Sequence, residues 1–242
     1  RGEAPTRLTD RQIAEFRRIA DGEGTRIAGL HWLMAAPAGL SITAEDPGTF
    51  AATCDAGRRL IALCAGLGGT YLVHGSPRER QLAVGRESQG RRQATSYFAA
   101  MAEAAQRAGV AYLLEPLSRS DTPLLNHIEE AIALIGEIGS PALKTMVDCY
   151  ASASNGEDIP ALLDRWIGAG MVSHVHFNDD NRGAPGDGSV DFAAIVAVLK
   201  KHAYAGTTAV EPFVYEPDGP GCAARAIGFL RGLETTAGQH EP

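Results

Sequence analysis

The sequence predicts an α/β protein, a (β/α)8 TIM barrel, from three observations. Apolar, strand-like runs alternate with helical patterns along most of the 242 residues. Each strand-plus-helix unit takes about 30 to 40 residues, the length that a crossover between parallel neighbours needs. No strand is followed by a G-x-G-x-x-G loop, which disfavours a dinucleotide-binding sheet and leaves the barrel ahead.

In chain order, a helix is expected first, over 7–22. The strand runs follow: "TRIAGLHWL" (25–33), "TYLVHG" (70–75), "AYLLEP" (111–116), "LKTMVD" (143–148), "VSHVHF" (172–177) and "TTAVEP" (207–212). After them, apolar residues at three- and four-residue spacing predict helices over 49–67, 91–108, 123–138, 157–169, 191–202 and 220–232. Asp191 or Ser189 is placed to cap the helix that carries "FAAIVAVLKK". Six strand–helix units are thus visible from about residue 25, and a barrel needs eight. Two strands and a helix are therefore expected ahead of Arg1, in a chain that opens "RGEAPTRLTD" without an initiator methionine. No linker divides the sequence, so residues 1–242 are expected to form one barrel domain.

A hydrophobic share of 45% can fill a core. The net charge of -7 argues against nucleic acid as a partner, because phosphate binding needs a basic face. No run approaches the roughly 18 apolar residues of a membrane span, and no signal segment opens the chain. A cytoplasmic protein with a small polar substrate is the expectation. Cys54, Cys64, Cys149 and Cys222 are scattered without metal-site spacing and read as buried free thiols.

Glu115, Asp148, His176 and Glu211 fall at or near the C-terminal ends of four successive strands, 33, 28 and 35 residues apart. In a parallel barrel those ends face one mouth, where enzymes of this fold build their sites. Any one of the four could simply begin an exposed loop. Together they suit a divalent ion, Mn, Mg or Co better than Zn, with positions left for water or substrate.

The stretches "LLEPLSR", "VDCY", "HVHFNDDNRGAPGDGSVDF" and "YAGTTAVEPF" resemble the xylose isomerase-like TIM barrels, the sugar phosphate isomerase/epimerase superfamily. That group includes ketose 3-epimerases, hydroxypyruvate isomerase, inosose dehydratase and endonuclease relatives. The resemblance covers residues 25–215. It implies that Glu115, Asp148, His176 and Glu211 are the metal ligands, and that Arg182, six residues after His176, contacts the substrate or supports the residues that do. It further implies a metal-dependent isomerase or epimerase of a small sugar or polyol, working through an enediolate with Glu115 and Glu211 as the proton-transfer pair, and often a homo-oligomer. The pattern departs at two positions: ketose 3-epimerases usually carry a histidine where this chain has Ala151 and a glutamate where it has Asp121. Two other readings are a metal-dependent dehydratase, which would expel a hydroxyl after the same proton abstraction, and a barrel that binds sugar without catalysis. His31, His74 and His127 supply no obvious set for a three-zinc endonuclease.

Further candidates each carry two readings. His31 and Trp32 would wall a sugar pocket, or be a satisfied histidine and a core aromatic. His74 would bond a substrate hydroxyl or phosphate, or be structural. His174 shares strand alternation with His176 and so faces the same way, as support below it. Arg78, Arg80, Arg86, Arg91 and Arg92 read as a solvated run, with a substrate acid group as the other possibility. Asp179 and Asp180 read as solvated or bonded within their own loop.

Overall fold

The computed structural model describes residues 4–236. The strands alternate with helices in the expected order: α1 (Asp10–Gly22), β1 (Gly29–Leu30), α2 (Pro47–Gly66), β2 (Tyr71–His74), α3 (Glu87–Ala108), β3 (Ala111–Leu114), α4 (Ile128–Ile138), β4 (Leu143–Asp148), α5 (Cys149–Ser154), α6 (Ile159–Gly168), β5 (Val172–Phe177), α7 (Phe192–Lys201), β6 (Thr207–Val210) and α8 (Gly219–Thr236). Among the described residues no helix is long and apolar enough to cross a membrane. The chain groups into two compact units.

The first unit runs through Glu115 and includes Ser120–Leu125 and Glu129–Lys144. Its β1, β2 and β3 pair in parallel, with Leu30 opposite Leu72 and His74 opposite Leu114. The ladder extends one residue further, since the Glu115 N–H donates to the His74 carbonyl at 3.3 Å. Leu72, Val73, Leu113 and Leu114 have no exposed surface, as expected of parallel strands covered on both faces. Tyr97, Phe98 and Met101 of α3 pack in the same core. β1 is much shorter than its apolar run, because the chain turns left-handed at Trp32, where φ is +54°. α3 ends at Gly109, whose φ of +70° lets its N–H reach the Ala105 carbonyl.

The second unit holds Pro116–Arg119, Asn126–Ile128 and the described residues from Thr145 on. Here β4, β5 and β6 pair in parallel, with Asp148 opposite His176 and Phe177 opposite Val210. Met146, Val175, Leu163, Phe192 and Ile195 form its core. Helix starts in both units rest on aspartate caps: Asp46 for α2, Asp148 for α5, Asp158 for α6 and Asp191 for α7. Of the two caps expected for α7, Asp191 is the one used, accepting from the Ala194 N–H at 2.9 Å. The helix expected over 123–138 begins only at Ile128, after Leu125 takes a φ of +59°. All four cysteines are buried and free.

Candidate active site

The second unit gathers three of the expected residues. Asp148 ends β4, His176 lies one residue from the end of β5, and Glu211 follows β6, its N–H donating to the Phe177 carbonyl at 3.0 Å. His176 Nδ1 lies 2.8 Å from Glu211 Oε2 and 3.6 Å from Asp148 Oδ2. The His176 and Asp148 side chains are almost wholly buried, and Glu211 retains a fifth of its surface. An imidazole nitrogen and two carboxylates facing one another with so little water form a donor set that fits a divalent cation, which offsets the repulsion between the acids.

Asn178 is part of this arrangement, although nothing in its sequence context marks it. It has no exposed surface. Its Nδ2 donates to Asp148 Oδ2 at 2.8 Å, and its Oδ1 accepts from the Tyr150 N–H at 2.8 Å. The other oxygen, Asp148 Oδ1, accepts from the Ala151 N–H at 2.7 Å. Asp148 is thereby held from both sides. Asn178→Leu removes a donor and an acceptor from a buried network, so a loss of about 1–3 kcal/mol in denaturant unfolding is expected, and a neutral result would contradict this bonding.

Arg182 is left-handed, at φ +63°. Its carbonyl accepts from the Phe213 and Val214 N–H groups at 2.8 and 3.1 Å, and its guanidinium carbon stands 4.4 Å from the Tyr150 ring centre and 5.6 Å from that of Phe213. The residue thus ties together the segments that follow Asp148 and Glu211. His174, nearly fully buried, has Nδ1 on the Thr207 hydroxyl at 2.6 Å and stands edge-on to the His176 ring at 4.8 Å between centres.

Asp179 and Asp180 are both bonded within their own loop, Asp180 exposed and accepting from the Ser189 N–H at 3.2 Å. Asp179 has no exposed surface. Its Oδ1 accepts from the Asp180 and Val190 N–H groups at 2.9 and 3.0 Å and its Oδ2 from the Gly186 N–H at 3.0 Å. A carboxylate paired with three backbone donors can be buried without a counter-ion. Asp179 is the knot that closes the loop between β5 and α7.

The first unit supplies the rest. The Glu115 side chain is 3% exposed, with Oε2 at 3.4 Å from His31 Nε2. It lies across Gly75, where any Cβ would collide with Oε2, so the glycine at the end of "TYLVHG" makes room for the carboxylate. Trp32 is 57% exposed. It lines a cleft of about 310 Å³ with Ala35, Ser76, Pro77, Arg78 and Glu79.

Two expectations in this unit are corrected. His74 has no surface to offer a substrate: Nδ1 bonds the Tyr112 hydroxyl at 2.6 Å, and Tyr97, Phe98 and Tyr112 surround the ring. Burial pulls its pKa from 6.5 to about 3, so it is neutral in the native state. The unfolded chain binds that proton below about pH 6.5 and the folded one only near pH 3; the stability contribution is therefore complete above 6.5 and is lost as the pH falls between the two values. His74→Phe should flatten the fall in unfolding free energy between pH 7 and pH 4, and equal slopes in the two proteins would refute the assignment. The second correction concerns the arginine run: Arg78 is exposed, but Arg80 is completely buried.

The model of the xylose isomerase-like TIM barrel family matches residues 2–233. Among curated relatives, an L-ribulose 3-epimerase of Mesorhizobium japonicum is 29% identical over 203 residues, covering 83% of this chain and 66% of that protein. A D-psicose 3-epimerase of Enterocloster bolteae is 29% identical over 134 residues, covering 55% and 44%. The chain thus spans just under two thirds of the first relative's length and under half of the second's. A solved structure of an L-ribulose 3-epimerase superposes with a TM-score of 0.81 at 25% identity, over 100% of this chain and 87% of that one. With the family model spanning nearly the whole sequence and the strand order matching the expectation, the chain belongs to the xylose isomerase-like TIM barrel family.

Proposed function

We propose that this protein is a divalent-metal-dependent epimerase of a ketose, with Glu115, Asp148, His176 and Glu211 as the ligands of one ion. The observation that carries the reading is the close-set trio of Asp148, His176 and Glu211, with Asn178 fixing the first of them. Glu115, buried just past the end of β3, joins the trio because strand ends of a parallel barrel open on one face. Mn, Mg or Co suits the oxygen-rich set better than Zn. When bound, the ion supplies Lewis acidity at the carbonyl and adjacent hydroxyl, worth several kcal/mol of developing charge.

The chain's own groups move the proton. Ionised Glu211 takes the proton from the carbon beside the carbonyl, and the C–H electron pair becomes the double bond of an enediolate. Glu115, protonated at that stage, returns a proton to the opposite face of the same carbon, which inverts it. Exchange with water resets the two carboxyls. Arg182 and Trp32 hold the sugar's hydroxyls and carbon face, His31 orients Glu115, and His174 braces the His176 ring. The net charge of -7 supports a small neutral substrate over nucleic acid.

Because relatives act on L-ribulose and D-psicose, those ketoses are the first substrates to try with Mn²⁺ in heavy water, followed by NMR. An epimerised product with deuterium at C3 and no loss of water is expected. A dehydrated product would replace this reading with the dehydratase, and sugar binding without exchange would replace it with the non-catalytic barrel.

A further inference from the structure

Arg80 heads the large side chains that have no exposed surface. A guanidinium keeps its charge in a protein interior, so its burial must be compensated by groups fixed around it. One donor is accounted for: Nη1 bonds the main-chain carbonyl of Glu115 at 2.9 Å. Among the described residues, Nε and Nη2 meet no hydrogen-bond acceptor. The compensation that remains is charge, from Glu115 first and then Asp121 and Glu130.

The residue's own backbone is fastened as well. The Arg80 carbonyl accepts from the Thr122 hydroxyl at 3.2 Å, and the neighbouring Gln81 amide donates to the Pro77 and Asp121 carbonyls at 2.8 and 2.9 Å. An apolar side chain would fill the same volume without a charge to compensate. Arginine here instead places its one hydrogen bond on the main chain of the residue whose carboxylate matters, and that carboxylate favours its charge.

We infer that Arg80 is a positioning residue for Glu115: it pins the main chain at the end of β3 and holds the glutamate where it can ligate a divalent ion and return a proton to carbon. The inference rests on the proposed role of Glu115. It assigns a task to a residue that touches neither substrate nor ion.

The test compares wild type, Arg80→Met, Arg80→Lys and Glu115→Gln in Mn²⁺ titrations followed by electron paramagnetic resonance, in ketose turnover and in thermal melting. Arg80→Met should bind Mn²⁺ about 10- to 100-fold more weakly and lose kcat by a similar factor, as is usual when the partner of a metal ligand is removed. KM should stay within about threefold, since uniform substrate binding is untouched. Arg80→Lys, which keeps the charge and one donor, should recover most of the loss. Arg80→Met that melts lower yet binds Mn²⁺ and turns over like wild type makes Arg80 a core residue only and overturns the inference. If Arg80→Met does not fold, Arg80→Gln, which has no charge, takes its place: weaker Mn²⁺ binding supports the inference and unchanged binding overturns it. Wild type that takes up no Mn²⁺, or that keeps its affinity in Glu115→Gln, removes the role of Glu115 and with it this inference. Loss in Glu115→Gln beside unchanged binding in Arg80→Met overturns the role of Arg80 alone.

Discussion

Glu211→Gln is expected to lower kcat for ketose epimerisation by about 10²- to 10⁴-fold, the range that general base catalysis contributes. The amide keeps the size and planarity of the carboxyl but cannot accept the carbon-bound proton. It also presents one carbonyl oxygen instead of two equivalent ones to His176 Nδ1, now 2.8 Å from Oε2. A weaker ion affinity accompanies the loss, so turnover is to be measured at saturating Mn²⁺, where only the proton-transfer defect remains. Turnover within about tenfold of wild type under those conditions would take the base role away from Glu211.

His176→Ala should have the second large effect, on the ion itself. The ring is the only nitrogen donor among the four proposed ligands, and its removal leaves Asp148 and Glu211 facing each other without it. Mn²⁺ affinity should fall by about 10²-fold or more, at or above the top of the 10- to 100-fold range that loss of a ligand's partner costs. Stability should fall too, by about 1–3 kcal/mol, because a buried ring packed edge-on against His174 gives way to a cavity. Isothermal titration with Mn²⁺ and denaturant unfolding measure the two separately. Unchanged affinity with lowered stability would make His176 a packing residue.

What was legible in the sequence, and what was not, divides along physical lines. Parallel strands buried on both faces read as apolar runs, and a charged residue at the end of such a run stands out; Glu115, Asp148, His176 and Glu211 were visible for that reason. Asn178 and Arg80 were not. Their partners lie far away in sequence: the Asp148 carboxylate and the Tyr150 N–H for Asn178, the Glu115 carbonyl for Arg80. Composition alone makes such residues look solvated, because a polar loop and a folded polar loop have the same letters. Gly75 was quoted as the end of a strand, yet its use is the space it leaves for the Glu115 side chain. α5 was overlooked because its cap, Asp148, was already assigned a functional part; the one carboxylate caps the helix with Oδ1 and faces His176 with Oδ2. His74 misled in the other direction, since a histidine at the end of a barrel strand looks like a ligand contact until its neighbours prove to be three aromatic rings.

The Asp148, His176 and Glu211 trio has its geometry within one unit, and the proposed ion site needs Glu115 as its fourth ligand. Mn²⁺ stoichiometry and affinity in Glu115→Gln, Asp148→Asn, His176→Ala and Glu211→Gln test it directly. One ion per chain in wild type, with affinity reduced in all four variants, is the predicted result. One ion per chain whose affinity is untouched by Glu115→Gln would contradict it.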